Sequence, residues 1–141
     1  SGINEMSTGS AEASQDGIGP VGWAGIGAVS WSHDGTDGAR SLEVGPFGAW
    51  ISEPILVQPG TIYGVMADVK GSRGNVIIEQ LGPTGVILNA LTRAMSVVNV
   101  SSFTTLDDAV PVAPGVGYVR IRLESGFLGA TTFDDIRLWK Q

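Results

Sequence analysis

The sequence predicts an all-β fold, a sandwich or a barrel, and three observations carry the prediction. Its 21 glycines and 7 prolines stand as punctuation between short runs rich in β-branched and aromatic residues. Several runs alternate apolar and polar residues with the period of two that a half-buried strand requires. Helical periodicity is weak: only "LNALTRAM", with Leu88, Leu91 and Met95 at helical spacing, offers it as an alternative to strand.

The expected strands are "AVSW", "RSLEVG", "AWISEPILV", "TIYGVMADVK", "NVIIEQL", "GVILNAL", a run near "SVVNVSSFTTL", "GYVRIRLE" and "TTFDDIRLW". Between them lie "HDGTDG", "QPGT", "GSRGN", "GPTG" and "APGVG", built from residues that start turns or tolerate positive φ. Alternation is cleanest in "YVRIRLE", where Val119, Ile121 and Leu123 share one face and Tyr118, Arg120, Arg122 and Glu124 the other. In "IYGVMADVK" the apolar set is Tyr63, Val65, Ala67 and Val69, with Met66, Asp68 and Lys70 opposite. The same alternation in "TTFDDIRLW" places Asp134 on the face of Ile136 and Leu138, and an inward carboxylate costs several kcal/mol unless something pairs with it. The opening "STGSAEASQDGIG" reads as an irregular arm.

The 141 residues, 43% apolar, suit one domain spanning 1–141 with a single core. A net charge of −6 with eight Lys and Arg argues against a nucleic-acid partner, since phosphate binding needs a basic patch. No run of about 18 apolar residues exists, so no membrane span is expected. The absence of cysteine removes disulfides, thiolate catalysis and Cys-ligated zinc. An opening "SGINEM" without a leader pattern or initiator Met is what an excised or processed fragment would show.

Catalytic motifs are thin. "GIGPVG" matches Gly-x-Gly-x-x-Gly, yet no strand precedes it and no helix follows, so a nucleotide site is not expected. "SHDGTDG" lacks EF-hand order and reads as a hairpin turn. His33, the sole histidine, lies beside that turn without a nucleophile elbow. Asn99 heads a sequon in form and reads as strand. The expectation is a protein that is not an enzyme.

Taken in order, "STGSAEASQDGIGPVGW", "HDGTDGARSLEV", "WISEPILVQPGTIYGVMADVK", "YVRIRLE" and "FDDIRL" resemble the jelly-roll carbohydrate-binding modules grouped around families four, nine and twenty-two. Ala11 stands where those modules often carry Phe, Phe103 where they often carry Trp, and "GPTGVILNALTRAMSVVNV" has no counterpart. The resemblance implies a two-sheet antiparallel β-sandwich of jelly-roll type. It also implies a structural calcium tying the arm to the last strand, held by Glu12, by carbonyls from Asp37 to Arg40, and by Asp134. Hard oxygen ligands suit calcium, and the ion would offset the burial of Asp134. The alternative is that Asp134 caps a turn or pairs with Arg137.

Candidate ligand-binding residues follow from side-chain chemistry. Trp31 and Trp50 border turns, where an exposed indole can stack on a pyranose, with core packing as the alternative. Tyr118, Arg120 and Arg122 on one strand face, with Asp68 and Gln80 on outer faces of other strands, supply the planar forks that match vicinal hydroxyls; a solvated face with cross-strand ion pairs is the alternative. Two guanidiniums favour a polysaccharide bearing carboxylate or sulfate. Neutral β-glucan or xylan is the competing ligand. The expected function is noncatalytic polysaccharide binding at an extracellular or cell-surface location, beside a tethered catalytic domain. The competing expectation is a structural or adhesive domain of a phage virion or tail that contacts other virion proteins.

Overall fold

The computed structural model describes residue 20 and residues 22–32, 41–93 and 100–141. Glu12, His33, Asp37, Arg40 and Asn99 therefore lie outside the described residues. Eleven strands and no helix occur among those described: β1 Trp23–Ile26, β2 Val29–Ser32, β3 Ser41–Val44, β4 Ala49–Ser52, β5 Ile55–Leu56, β6 Ile62–Gly71, β7 Gly74–Leu81, β8 Ile87–Arg93, β9 Val100–Pro111, β10 Tyr118–Ser125 and β11 Thr131–Lys140. They form two antiparallel sheets. One runs β1-β4-β10-β7-β8, with β5 also on β10, and the other runs β2-β3-β11-β6-β9.

The apolar sets of β6 and β10 face each other across one core, as their alternation predicts. Tyr63, Val65, Ala67, Val69, Val119, Ile121 and Leu123 are all buried in it. "LNALTRAM" is not a helix where it is described: β8 pairs antiparallel with β7 from Ile87 to Arg93. The strand β1 was not expected, because Gly25 interrupts "WAGIG". Tertiary packing explains the glycine, since a Cβ there would meet Val29 at 2.6 Å and the Trp50 ring at 3.0 Å.

The last strand departs from simple alternation. Register runs Phe133↔Val69 and Asp134↔Asp68, then resumes at Arg137↔Met66, so Asp135 and Ile136 together oppose Ala67. This β-bulge is seated on Asp135 at φ 48°. It moves the inward set from Phe133 before the bulge to Ile136 and Leu138 after it, all buried. The expectation that Asp134 shares a face with Ile136 and Leu138 is corrected: Asp134 is on the outer face beside Asp68. Past the bulge, that outer face carries Arg137 and Trp139. A side chain at Gly64 would collide with the Trp139 ring, so glycine is required where the indole crosses β6.

Candidate functional site

The outer face of the six-stranded sheet gathers the most chemistry. Along β10 it carries Tyr118, Arg120, Arg122 and Glu124, and register sets Arg120 opposite Glu79 and Arg122 between Ile77 of β7 and Ile51 of β4. Arg120 Nε donates to Glu79 Oε1 at 2.7 Å, and Arg122 Nε to Glu124 Oε2 at 2.6 Å. Glu79 is 8% exposed, so its charge needs a partner that bulk water no longer supplies. Both arginine side chains keep 31% exposure and spend Nε on these bonds, which leaves the terminal amino groups as donors. The face is thus a half-exposed band of forked donors and carboxylate acceptors among Tyr118, Ile51 and Ile77. Its positive charges are matched one for one by Glu79 and Glu124, which removes the excess cationic charge that an anionic polysaccharide would seek.

The other candidate ligand residues lie elsewhere. Asp68 belongs to the second sheet, where its Oδ1 accepts from Thr105 Oγ1 at 2.5 Å. Gln80 faces inward at 1% exposure, donating Nε2 to Pro111 O at 2.9 Å and accepting from Ala113 N at 3.1 Å. It ties β7 to the chain leaving β9. Trp50 is 7% exposed, and its Nε1 donates to Glu43 O at 3.0 Å and Ser30 O at 3.3 Å, stitching β4 to the opposite sheet. An indole so enclosed has no ring face for a sugar. Trp31, on the inward side of β2, is partly buried and packs against the core. The residue that sequence reading missed is Glu79. Ile77 and Ile78 are both apolar, so alternation in "NVIIEQL" cannot say whether Glu79 or Gln80 faces out; the pairing Arg120↔Glu79 decides it.

The outer face of the five-stranded sheet has a different character. Asp134 is 0% exposed, and Ser41 and Thr132 beside it are buried too. Asp134 stands one register step past the Phe133↔Leu42 pair, level with Ser41 at the head of β3, and directly opposite Asp68 on β6. Like charges in facing positions repel. Arg137 forms a fork with Asp135, at 2.8 and 3.1 Å. Among the described residues no three acidic or imidazole groups converge.

Two antiparallel sheets enclosing one core, with these connections, define a jelly-roll β-sandwich. No protein-family model and no curated protein matches the chain. Solved structures do. The enzymatically active domain of bacteriophage CBA120 tailspike protein 4 superposes with a TM-score of 0.75 at 16% identity, covering 99% of this chain, which spans 22% of that one. The CBM22-1 xylan-binding domain of Paenibacillus barcinonensis Xyn10C gives 0.69 at 14% identity, covering 99% of this chain and 96% of that one. TmCBM61, solved in complex with β-1,4-galactotriose, gives 0.60 at 16% identity and covers 99% of both. The chain therefore has the fold of these carbohydrate-binding modules, in agreement with the resemblance read from its motifs.

Proposed function

We propose that this chain is a noncatalytic carbohydrate-binding module that holds a polysaccharide on the outer face of the six-stranded sheet. The observation that carries the reading is the band of Tyr118, Arg120 and Arg122 with Glu79 and Glu124, presented on a sandwich whose full-length structural neighbours include a xylan-binding domain. Forked donors and acceptors at fixed spacing match vicinal hydroxyls, and paired charges favour a neutral glycan over an anionic one. The module works outside the cell, tethered to a catalytic domain. Affinity electrophoresis tests the reading: xylan, β-1,4-galactan and β-glucan should retard the protein, alginate and pectin should not, and Arg120→Ala with Arg122→Ala should abolish retardation. A protein retarded by no polysaccharide, or a double variant that still binds, would overturn it.

The proposal includes a structural calcium at Asp134. A carboxylate with no exposure, facing Asp68 across β6 and level with the residue that follows Arg40, suits a divalent ion. Glu12 and the carbonyls from Asp37 to Arg40 would complete the set. The ion's contribution is to join the arm to β11.

The tailspike likeness favours a second reading, in which the sandwich is an adhesive or structural domain of a phage tail. That reading expects a stable oligomer or a captured virion protein in place of glycan retardation.

A further inference from the structure

Four turns meet at one end of the sandwich: Gly27–Ala28, Gly45–Gly48, Ser72–Arg73 and Gly126–Ala130. Backbone bonds tie them in two pairs, Gly45 N donating to Ala28 O at 2.7 Å and Gly126 N to Arg73 O at 2.9 Å. At this tip Phe47 is 86% exposed, Phe127 77% and Leu128 99%. The two phenyl rings come from different turns, yet their centroids lie 5.5 Å apart at an interplanar angle of 55°. Phe47 also holds φ at 67°, a conformation that bulky side chains rarely adopt, although the same turn contains Gly45 and Gly48. Strain, exposure and convergence fall on one residue, and nothing in the core requires it.

We infer that Phe47 and Phe127, whose rings touch each other, form a second glycan contact, a tilted aromatic platform on which one terminal or branching sugar ring stacks through its apolar C–H face. The inference rests on the glycan-binding reading above and adds to it a site away from the sheet face. Size argues against a protein occupant. Two aromatic side chains at about 150–250 Å² each, with one leucine, fall short of the roughly 800 Å² per partner of a stable protein interface. Charge argues against a lipid surface: among the described residues these turns carry Arg73 as their only charge, and the whole chain is at −6. The tip lies at the end of the strand that carries the proposed sheet-face site, because β10 ends at Ser125 and Phe127 follows two residues later. Arg73 lies against the same turn, its Cβ 3.5 Å from where a Cβ on Gly126 would stand, and is exposed there.

The test compares wild type with Phe47→Gly, Phe127→Ser and their combination by affinity electrophoresis and calorimetry on the same neutral polysaccharides and their oligosaccharides. Glycine keeps the backbone of position 47, and Phe127→Tyr is the conservative control. The double variant should melt at or above the wild-type temperature while binding at least about tenfold more weakly, the loss expected for a truncated aromatic anchor, and Phe127→Tyr should bind like wild type. Retention of full affinity by the double variant, with the Arg120 and Arg122 variant still defective, would overturn the platform and leave the sheet-face reading intact. A wild type that binds no glycan would overturn both. Co-sedimentation of wild type, but not of the double variant, with phosphatidylcholine vesicles would reassign the tip to lipid.

Discussion

The consecutive strands β10 and β11 lie in opposite sheets and obey the period of two to different extents. In β10 alternation is unbroken: Val119, Ile121 and Leu123 are buried, and Tyr118, Arg120, Arg122 and Glu124 are half-buried on the other side. In β11 the inward set changes parity at Asp135, and the outward Asp134 is as buried as the inward Phe133. The difference teaches that a period-two pattern assigns faces only while pairing stays one to one. A single left-handed residue re-aims everything downstream, and here it separates a carboxylate from the apolar residues with which the sequence groups it.

The largest expected effect comes from opposing the bulge while keeping every residue. Asp135→Val sets a β-branched side chain against φ 48°, so the strand either carries the strain or returns to one-to-one pairing with β6, which would turn Ile136 and Leu138 out of the core. The loss should be about 3 kcal/mol, the upper end for a residue held in a strained backbone region. Urea denaturation should show it, whereas deleting Asp135 outright keeps Phe133, Ile136 and Leu138 all inward and should cost less; a deletion variant less stable than Asp135→Val would show that the bulge does not set the faces. Next in size is the proposed cation on the outer face of β11. At a hundredfold excess over Kd the ion would contribute about 2.7 kcal/mol, so EDTA should lower the melting temperature and Asp134→Ala should abolish that response. A metal-free protein by elemental analysis, with a melt indifferent to EDTA, would remove calcium from the account.

The smallest effects separate two neighbours on β10. Arg120→Ala strands the nearly buried Glu79 and should cost about 1–3 kcal/mol. Arg122→Ala loses a pair to the half-exposed Glu124 and should cost under about 1 kcal/mol. Urea denaturation of the two variants gives the order, and equal losses would mean that burial of Glu79 does not govern the pair.

The all-β class, the core sets of β6 and β10, and the turns that join most strands were legible in the chain alone. Each depends on local chemistry: one face wet, one face dry, and glycine or proline where the backbone reverses. The jelly-roll order was legible only through motifs in sequence, none of them decisive singly. What the tertiary structure decided all depends on partners distant in the chain. Gln80 points inward because Pro111 and Ala113 meet it there, and Trp50 is a core residue because backbone carbonyls of Ser30 and Glu43 receive its indole. Glu79 enters the candidate site because Arg120 is its register neighbour. Phe47 and Phe127, 80 positions apart by their numbers, meet only because the β3–β4 and β10–β11 connections, each crossing from one sheet to the other, lie at the same tip. Local pattern fixes which residues can be buried, whereas strand register and turn packing fix which of them touch, and a binding site is made of touching residues.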